Sequence, residues 1–158
     1  MKALVFAFLF CTFLPAASSQ TTVFLVRHAE KLSDGQNPAL SDLGEKRALR
    51  LLEMLQEAEI QSIYSTDYKR TLQTVGPLAE HLGIKTEIYE PFDASFHELV
   101  KQKNERNLLI VGHSNTIPGL VNALIGQEKY QNLSEDQYDL LFVVTLIDGY
   151  ASDYVLRY

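Results

Sequence analysis

The chain has 158 residues, enough for one domain with a sizeable core and too few for two of ordinary size. Its 14 Lys and Arg stand against 20 Asp and Glu, a net charge of −6. Such an acidic domain suits neither nucleic acid nor an anionic membrane surface, and an anionic substrate needs a local knot of cations working against the global sign.

The first nineteen residues read apart from the rest. Lys2 precedes an apolar run over residues 3–14, followed by Pro15 and the small residues Ala16, Ala17, Ser18 and Ser19. A basic start, an apolar middle and a small-residue end predict a signal peptide over residues 1–19, cut after Ser19. The run is shorter than the ~20 residues a spanning helix needs, so no stable membrane insertion is expected. The domain would then be residues 20–158, exported to a periplasm or secreted. Cys11, the only cysteine, leaves with the leader, so the domain can form no disulfide. Losing Lys2 takes the charge of −6 to −7.

Apolar residues 21–26 predict a strand. Ala48, Leu51, Leu52 and Leu55 then mark one face of a helix that Ser41 or Asp42 can cap. Residues 60–64 form the next strand. Leu72, Val75, Ala79 and Leu82 line a second helix ending at Gly83, which Gly76-Pro77 should kink or split. A short strand over 85–89 and a helix over 94–103 follow. Residues 107–111 form an apolar strand covered on both faces. Ile117, Leu120, Val121 and Leu124 mark another helix. Strands over 140–147 and 154–158 close the chain, with turn chemistry at Asp148-Gly149 but a connection too long for a tight hairpin. The pattern predicts a three-layer α/β/α fold with a mainly parallel sheet and an antiparallel edge. Ligands of such sheets sit beyond the carboxyl ends of the strands.

Two histidines fall at that edge. His28 ends the first strand beside Arg27, and His113 ends the strand over 107–111 in "LLIVGHSNT". The segment "YSTDYKRTLQT" brings Lys69 and Arg70 to the same rim from the start of a helix. Paired guanidinium groups match the oxygens of a phosphoryl group. A neutral imidazole can attack phosphorus without a separate base. The helix opened by "SNT" adds free N–H groups that favour an anion.

In this order the motifs "LVRHAEK", "ALSDLG", "IYSTDYKRTLQT" and "IVGHSNT" resemble those of the histidine phosphatase superfamily, the phosphoglycerate-mutase-like fold, across nearly all of residues 20–158. The short length and the "RHAEK" variant resemble its small phosphatase branch. The resemblance implies that His28 is the nucleophile that forms a phosphohistidine. It implies that Arg27 and Arg70 hold the phosphoryl oxygens and that His113 donates to the same group. It also implies a phosphoric monoester hydrolase acting on a small phosphorylated substrate. The general acid departs from the larger relatives. Ser114 stands where one branch has Asp, and the mutase insertion with its Glu is missing. Asp93 in "EIYEPFDASFHE" is the first candidate, Glu90 the second; with neither, substrates with good leaving groups, or phosphohistidine itself, become the natural choice.

"GHSNT" also suggests a serine-hydrolase elbow at Ser114. That fold places its histidine after the serine, whereas His28, His81, His97 and His113 all precede it. No histidines have ligand spacing, so neither a metal nor another cofactor is expected. The second reading is an exported anion-binding protein without turnover, against which an intact His28 argues. Asn132 begins a formal glycosylation sequon.

Overall fold

The computed structural model describes residues 20–103 and 107–158; the leader reading of residues 1–19 lies outside them. A six-stranded sheet runs through the molecule in the order β3-β2-β4-β1-β5-β6. Its strands are β1 (Gln20–Arg27), β2 (Ser62–Ser65), β3 (Thr86–Ile88), β4 (Asn107–Gly112), β5 (Leu140–Ile147) and β6 (Tyr150–Arg157). Neighbours among β3, β2, β4 and β1 pair in parallel, and β5 and β6 pair antiparallel at one edge. The helices are α1 (Asp42–Leu55), α2 (Lys69–Leu82), α3 (Ala94–Gln102) and α4 (Ile117–Ile125).

Alternation along the strands divides the core. Val23 and Leu25 of β1, Leu108 and Ile110 of β4 and Phe142 of β5 pack with Phe96 and Val100 of α3 and with Leu120 and Val121 of α4. Val26, Leu109, Val111, Leu141 and Val143 face the other way, onto Leu51 and Leu55 of α1 and Val75 and Leu78 of α2. Because successive side chains on a strand point to opposite faces, β4 is apolar on both. This is the three-layer architecture read from the sequence, with its antiparallel edge.

Three details differ from that reading. β5 and β6 form a tight hairpin: Ile147 pairs with Tyr150 across the two-residue loop Asp148-Gly149. Both loop residues adopt positive φ, 49° and 84°, as the favoured two-residue hairpin turn requires. β6 therefore starts four residues earlier than the sequence suggested. Secondly, α2 is not split at Gly76-Pro77; it runs from Lys69 to Leu82 with Pro77 inside. Its sheet-facing packing offsets the backbone bond that proline removes. Thirdly, Thr71 and Thr74, rather than Leu72, take the buried stripe of α2 beside Val75 and Leu78.

Ser41 caps α1, accepting from the N–H of Gly44 at 3.2 Å, while its own N–H donates to the carbonyl of Glu30 at 2.9 Å. A Cβ on Gly44 would lie 2.0 Å from that carbonyl oxygen. The glycine of "ALSDLG" is thus the point where α1 seats directly on the backbone two residues past His28. We expect Gly44→Ala to lose about 1–3 kcal/mol of stability through overpacking, measured by urea denaturation. A substitution at Gly119, whose Cβ would meet nothing within 4 Å, should cost far less.

Candidate active site

The site is built where β1 and β4 end side by side. Their parallel register sets Arg27 opposite Gly112, and the N–H of His28 donates to the carbonyl of Gly112 at 2.9 Å. The next residue on each strand is a histidine, and the two rings come within 5.5 Å at 67°. Ala29 is fixed from the side: its N–H donates to Thr74 Oγ1 at 2.9 Å, and that hydroxyl donates to the carbonyl of Arg70 at 2.7 Å. Gln73 Oε1 accepts from the N–H of Leu40 at 2.8 Å. The Gln-Thr pair of "YKRTLQT" therefore straps α2 to the segment that follows the nucleophile candidate.

His28 is buried, with Nδ1 2.8 Å from the carbonyl oxygen of Ala29. A carbonyl only accepts, so Nδ1 carries the hydrogen and Nε2 presents its lone pair. Burial pushes the imidazole down to about 3, the bond to Ala29 opposes this, and Arg27, Arg70 and His113 push it lower. His113 is pushed down to about 4, again by burial first and then by Arg70 and Arg27. Near neutral pH both rings are uncharged.

The arginines come from different elements. Arg27 is almost fully buried, and its Nη1 donates to the carbonyls of Ser134 and Gln137 at 2.7 and 3.1 Å. Its guanidinium lies 4.0 Å from the centre of the Tyr138 ring, and Nη2 is 3.4 Å from Glu135 Oε2. Arg70 stacks over Tyr68 at 4.3 Å. Burial also lowers its pKa from the usual guanidinium value, with Arg27 adding to the effect and Tyr68 opposing it. Nε of each arginine is buried without an acceptor among the described residues, so each retains a donor that an oxyanion would satisfy.

Arg27, His28, Arg70 and His113 line one cleft of about 650 Å³, together with Tyr68 and Glu90. Asp93 is not among the lining residues. Its carboxylate caps α3, accepting from the N–H and the hydroxyl of Ser95 at 2.8 Å each. Those bonds hold its pKa below the ordinary value, which favours a carboxylate over a proton donor. Ser114 lines the cleft next to His113, but among the described residues no imidazole is hydrogen-bonded to its hydroxyl. Among the described residues no group of three or more His, Cys, Asp or Glu is placed to hold a metal ion.

Sequence reasoning missed the 134–138 segment that clamps Arg27, and it missed Thr66, Thr71 and Thr74. It also gave no role to Glu30. That carboxylate accepts from Arg47 Nε and Nη2 at 2.7–3.0 Å and ties "RHAEK" to α1. Burial of Glu30 opposes ionisation, but these bonds outweigh it and its pKa falls.

The family model described as histidine phosphatase superfamily (branch 1) matches residues 23–94. That match spans 72 of the 158 residues and takes in Arg27, His28 and Arg70 but stops short of His113. No curated protein matches the sequence. Among solved structures, a SixA protein histidine phosphatase complexed with tungstate is similar at a TM-score of 0.70 and 17% identity, over 87% of this chain and 97% of that one. A mycobacterial glucosyl-3-phosphoglycerate phosphatase follows at 0.64 and 14%, over 83% and 98%. A mycobacterial hydrolase stands at 0.67 and 15%, over 86% and 96%. The fold is thus shared with these structures over nearly their whole length.

The neutral imidazoles have a consequence for stability. At pH values above about 6.5 the unfolded chain leaves both histidines neutral, as the fold does. Below that, the unfolded chain takes up protons that the fold refuses until about 4 at His113 and about 3 at His28. Stability should therefore fall as pH drops from 6.5 to 4. The slope should reach up to about 1.4 kcal/mol per pH unit for His28 and less for the more solvent-screened His113. Urea denaturation across that range checks the slope, and His28→Asn should flatten it.

Proposed function

We propose that the protein hydrolyses phosphoryl compounds, without a metal ion, through a phosphohistidine formed on His28. The single observation that carries this reading is the tautomer: the bond to Ala29 leaves Nε2 bare in a cleft that also holds two arginines and His113. The Nε2 lone pair attacks phosphorus, the N–P bond forms, and the bond to the leaving group breaks with its electron pair going to that group. Arg27 and Arg70 hold the non-bridging oxygens, which carry the charge of transfer. Water then attacks phosphorus, returns the electron pair to Nε2 and releases phosphate, its proton passing to solvent.

Glu90, which lines the cleft, is better placed than Asp93 to protonate a leaving group. It is exposed, and among the described residues no side-chain hydrogen bond holds its carboxylate toward a leaving group. The reading therefore favours substrates that depart with little proton assistance, a phosphorylated imidazole above all. The fold shared with a SixA protein histidine phosphatase supports that choice; the fold shared with the glucosyl-3-phosphoglycerate phosphatase keeps sugar phosphates as the comparison class. The composition of residues 1–19 supports export as the cellular setting.

Activity on an aryl phosphate should persist in excess chelator and be inhibited by vanadate. His28→Asn should abolish turnover while retaining oxyanion binding, which also separates an enzyme from a pure anion binder. Alkaline rapid quench followed by peptide mapping should place the label on His28; label on Ser114, or full turnover by His28→Asn, would end this mechanism. Arg70→Ala should cost about 2–4 kcal/mol of transition-state stabilisation, read from kcat/KM. Asp93→Asn should leave kcat within about twofold and stability nearly unchanged, since Asn caps a helix start about as well as Asp.

A further inference from the structure

Thr66 follows β2 and lines the cleft, yet its hydroxyl faces protein. Oγ1 lies 3.0 Å from His113 Nε2 and 3.1 Å from Thr71 Oγ1. Thr71 Oγ1 lies 2.7 Å from the carbonyl oxygen of Thr66 and 2.9 Å from that of Tyr68. The direction of every bond follows from this far end. Carbonyls only accept, so the one hydroxyl proton of Thr71 goes to them. Thr71 Oγ1 then accepts from Thr66, which commits the proton of Thr66. What Thr66 offers His113 is a lone pair, so Nε2 of the imidazole carries the hydrogen. The other nitrogen, Nδ1, faces Arg70 Nη2 at 3.5 Å, and a guanidinium has only hydrogens to give. Nδ1 is therefore bare in the neutral ring.

We propose that Thr66, anchored by Thr71, is a positioning residue that keeps the His113 hydrogen on Nε2 and makes Nδ1 the atom that takes one proton from solvent when a dianionic phosphoryl group enters the cleft. This rests on the reading of the cleft as a phosphoryl site. A bare Nδ1 would set its lone pair against phosphoryl oxygen. With one proton added, Nδ1–H donates to the anion, Nε2–H still donates to Thr66, and the ring carries one positive charge. That proton returns to solvent when the anion leaves. The Nδ1–H bond is the one bond made at His113, and it breaks again as the proton leaves.

The surroundings set the sign. Arg70 from α2, Arg27 from β1 and the neutral His28 ring face His113, and Tyr68 packs edge-on at 5.1 Å. Lys31, Asp67, Glu90 and Glu135 line the cleft further out. The two guanidinium groups and burial disfavour the second proton in the free site; a dianion between them reverses that balance. Oxyanion affinity should rise up to tenfold for each unit that pH is lowered, over the range where the free ring is neutral and the bound ring charged.

Sulfate is the probe, since it stays a dianion throughout that range. In the free protein, ¹⁵N shifts of the His113 ring should show a protonated Nε2 and a bare Nδ1, and sulfate should convert the ring to the doubly protonated form. Calorimetry in buffers of different ionisation enthalpy should show about one proton taken up per sulfate. Thr66→Val, which preserves shape, should weaken sulfate binding at least tenfold and flatten its pH dependence; Thr66→Ser should restore both. A protonated Nδ1 in the free protein, sulfate that fails to bind or binds without proton uptake, or a Thr66→Val variant with unchanged pH dependence would each overturn the proposal. Proton uptake with no hydrolysis of any phosphoryl compound would overturn the phosphatase reading and leave this one standing. Hydrolysis through His28 with the opposite His113 tautomer would do the reverse.

Discussion

The hydrogen bond from the His28 N–H to the Gly112 carbonyl is the last rung of the β1–β4 ladder, and the site hangs from it. Parallel strands in this register must finish together, so the residues after them emerge as neighbours. The apolar run of β4 and the alternation of β1 hold that register by burying both faces, since a slip by one residue would turn core side chains outward. Two imidazoles thereby acquire a fixed separation from packing far below the cleft. The chemistry at the rim needs rigid placement, and the core of the sheet provides it.

Around that rung the protein repeatedly uses main-chain atoms to orient side chains. The Ala29 carbonyl sets the tautomer of His28, and the Ser134 and Gln137 carbonyls aim Arg27. Threonine hydroxyls do the remaining work, because a small side chain that both donates and accepts can be buried fully satisfied. Thr74 links Ala29 to Arg70, and Thr71 serves Thr66. Elevated solvation would loosen these bonds; burial makes each orientation expensive to change.

The fold was legible because its signals are periodic. Strands apolar on both faces and helices with a single apolar stripe leave few arrangements other than a covered parallel sheet. The placement of His28, Arg27, Arg70 and His113 at one edge follows from topology, which is why the sequence already suggested it. What escaped depends on three-dimensional detail without a periodic trace. Thr71 and Thr74 read as polar interruptions of a helical face until α2 is seen to turn them inward. Residues 134–138 carry no regular pattern, yet they come back over a hundred positions to reach Arg27. Asp93 and Glu90 are three residues apart, and only the start of α3 separates a capping carboxylate from one that faces the cleft.

The clamp on Arg27 has a consequence for how the protein tolerates change. Two of its four contacts with the guanidinium are peptide carbonyls, which every amino acid supplies. Of the other two, the Tyr138 ring lies against the guanidinium, and Glu135 is solvent-exposed and weakly coupled. Side chains at Ser134 and Gln137 can therefore be exchanged without disturbing how Arg27 is aimed. The number of residues between them cannot, because adding or removing one would carry a carbonyl away from the guanidinium. For this stretch of chain, length is the information that the site reads.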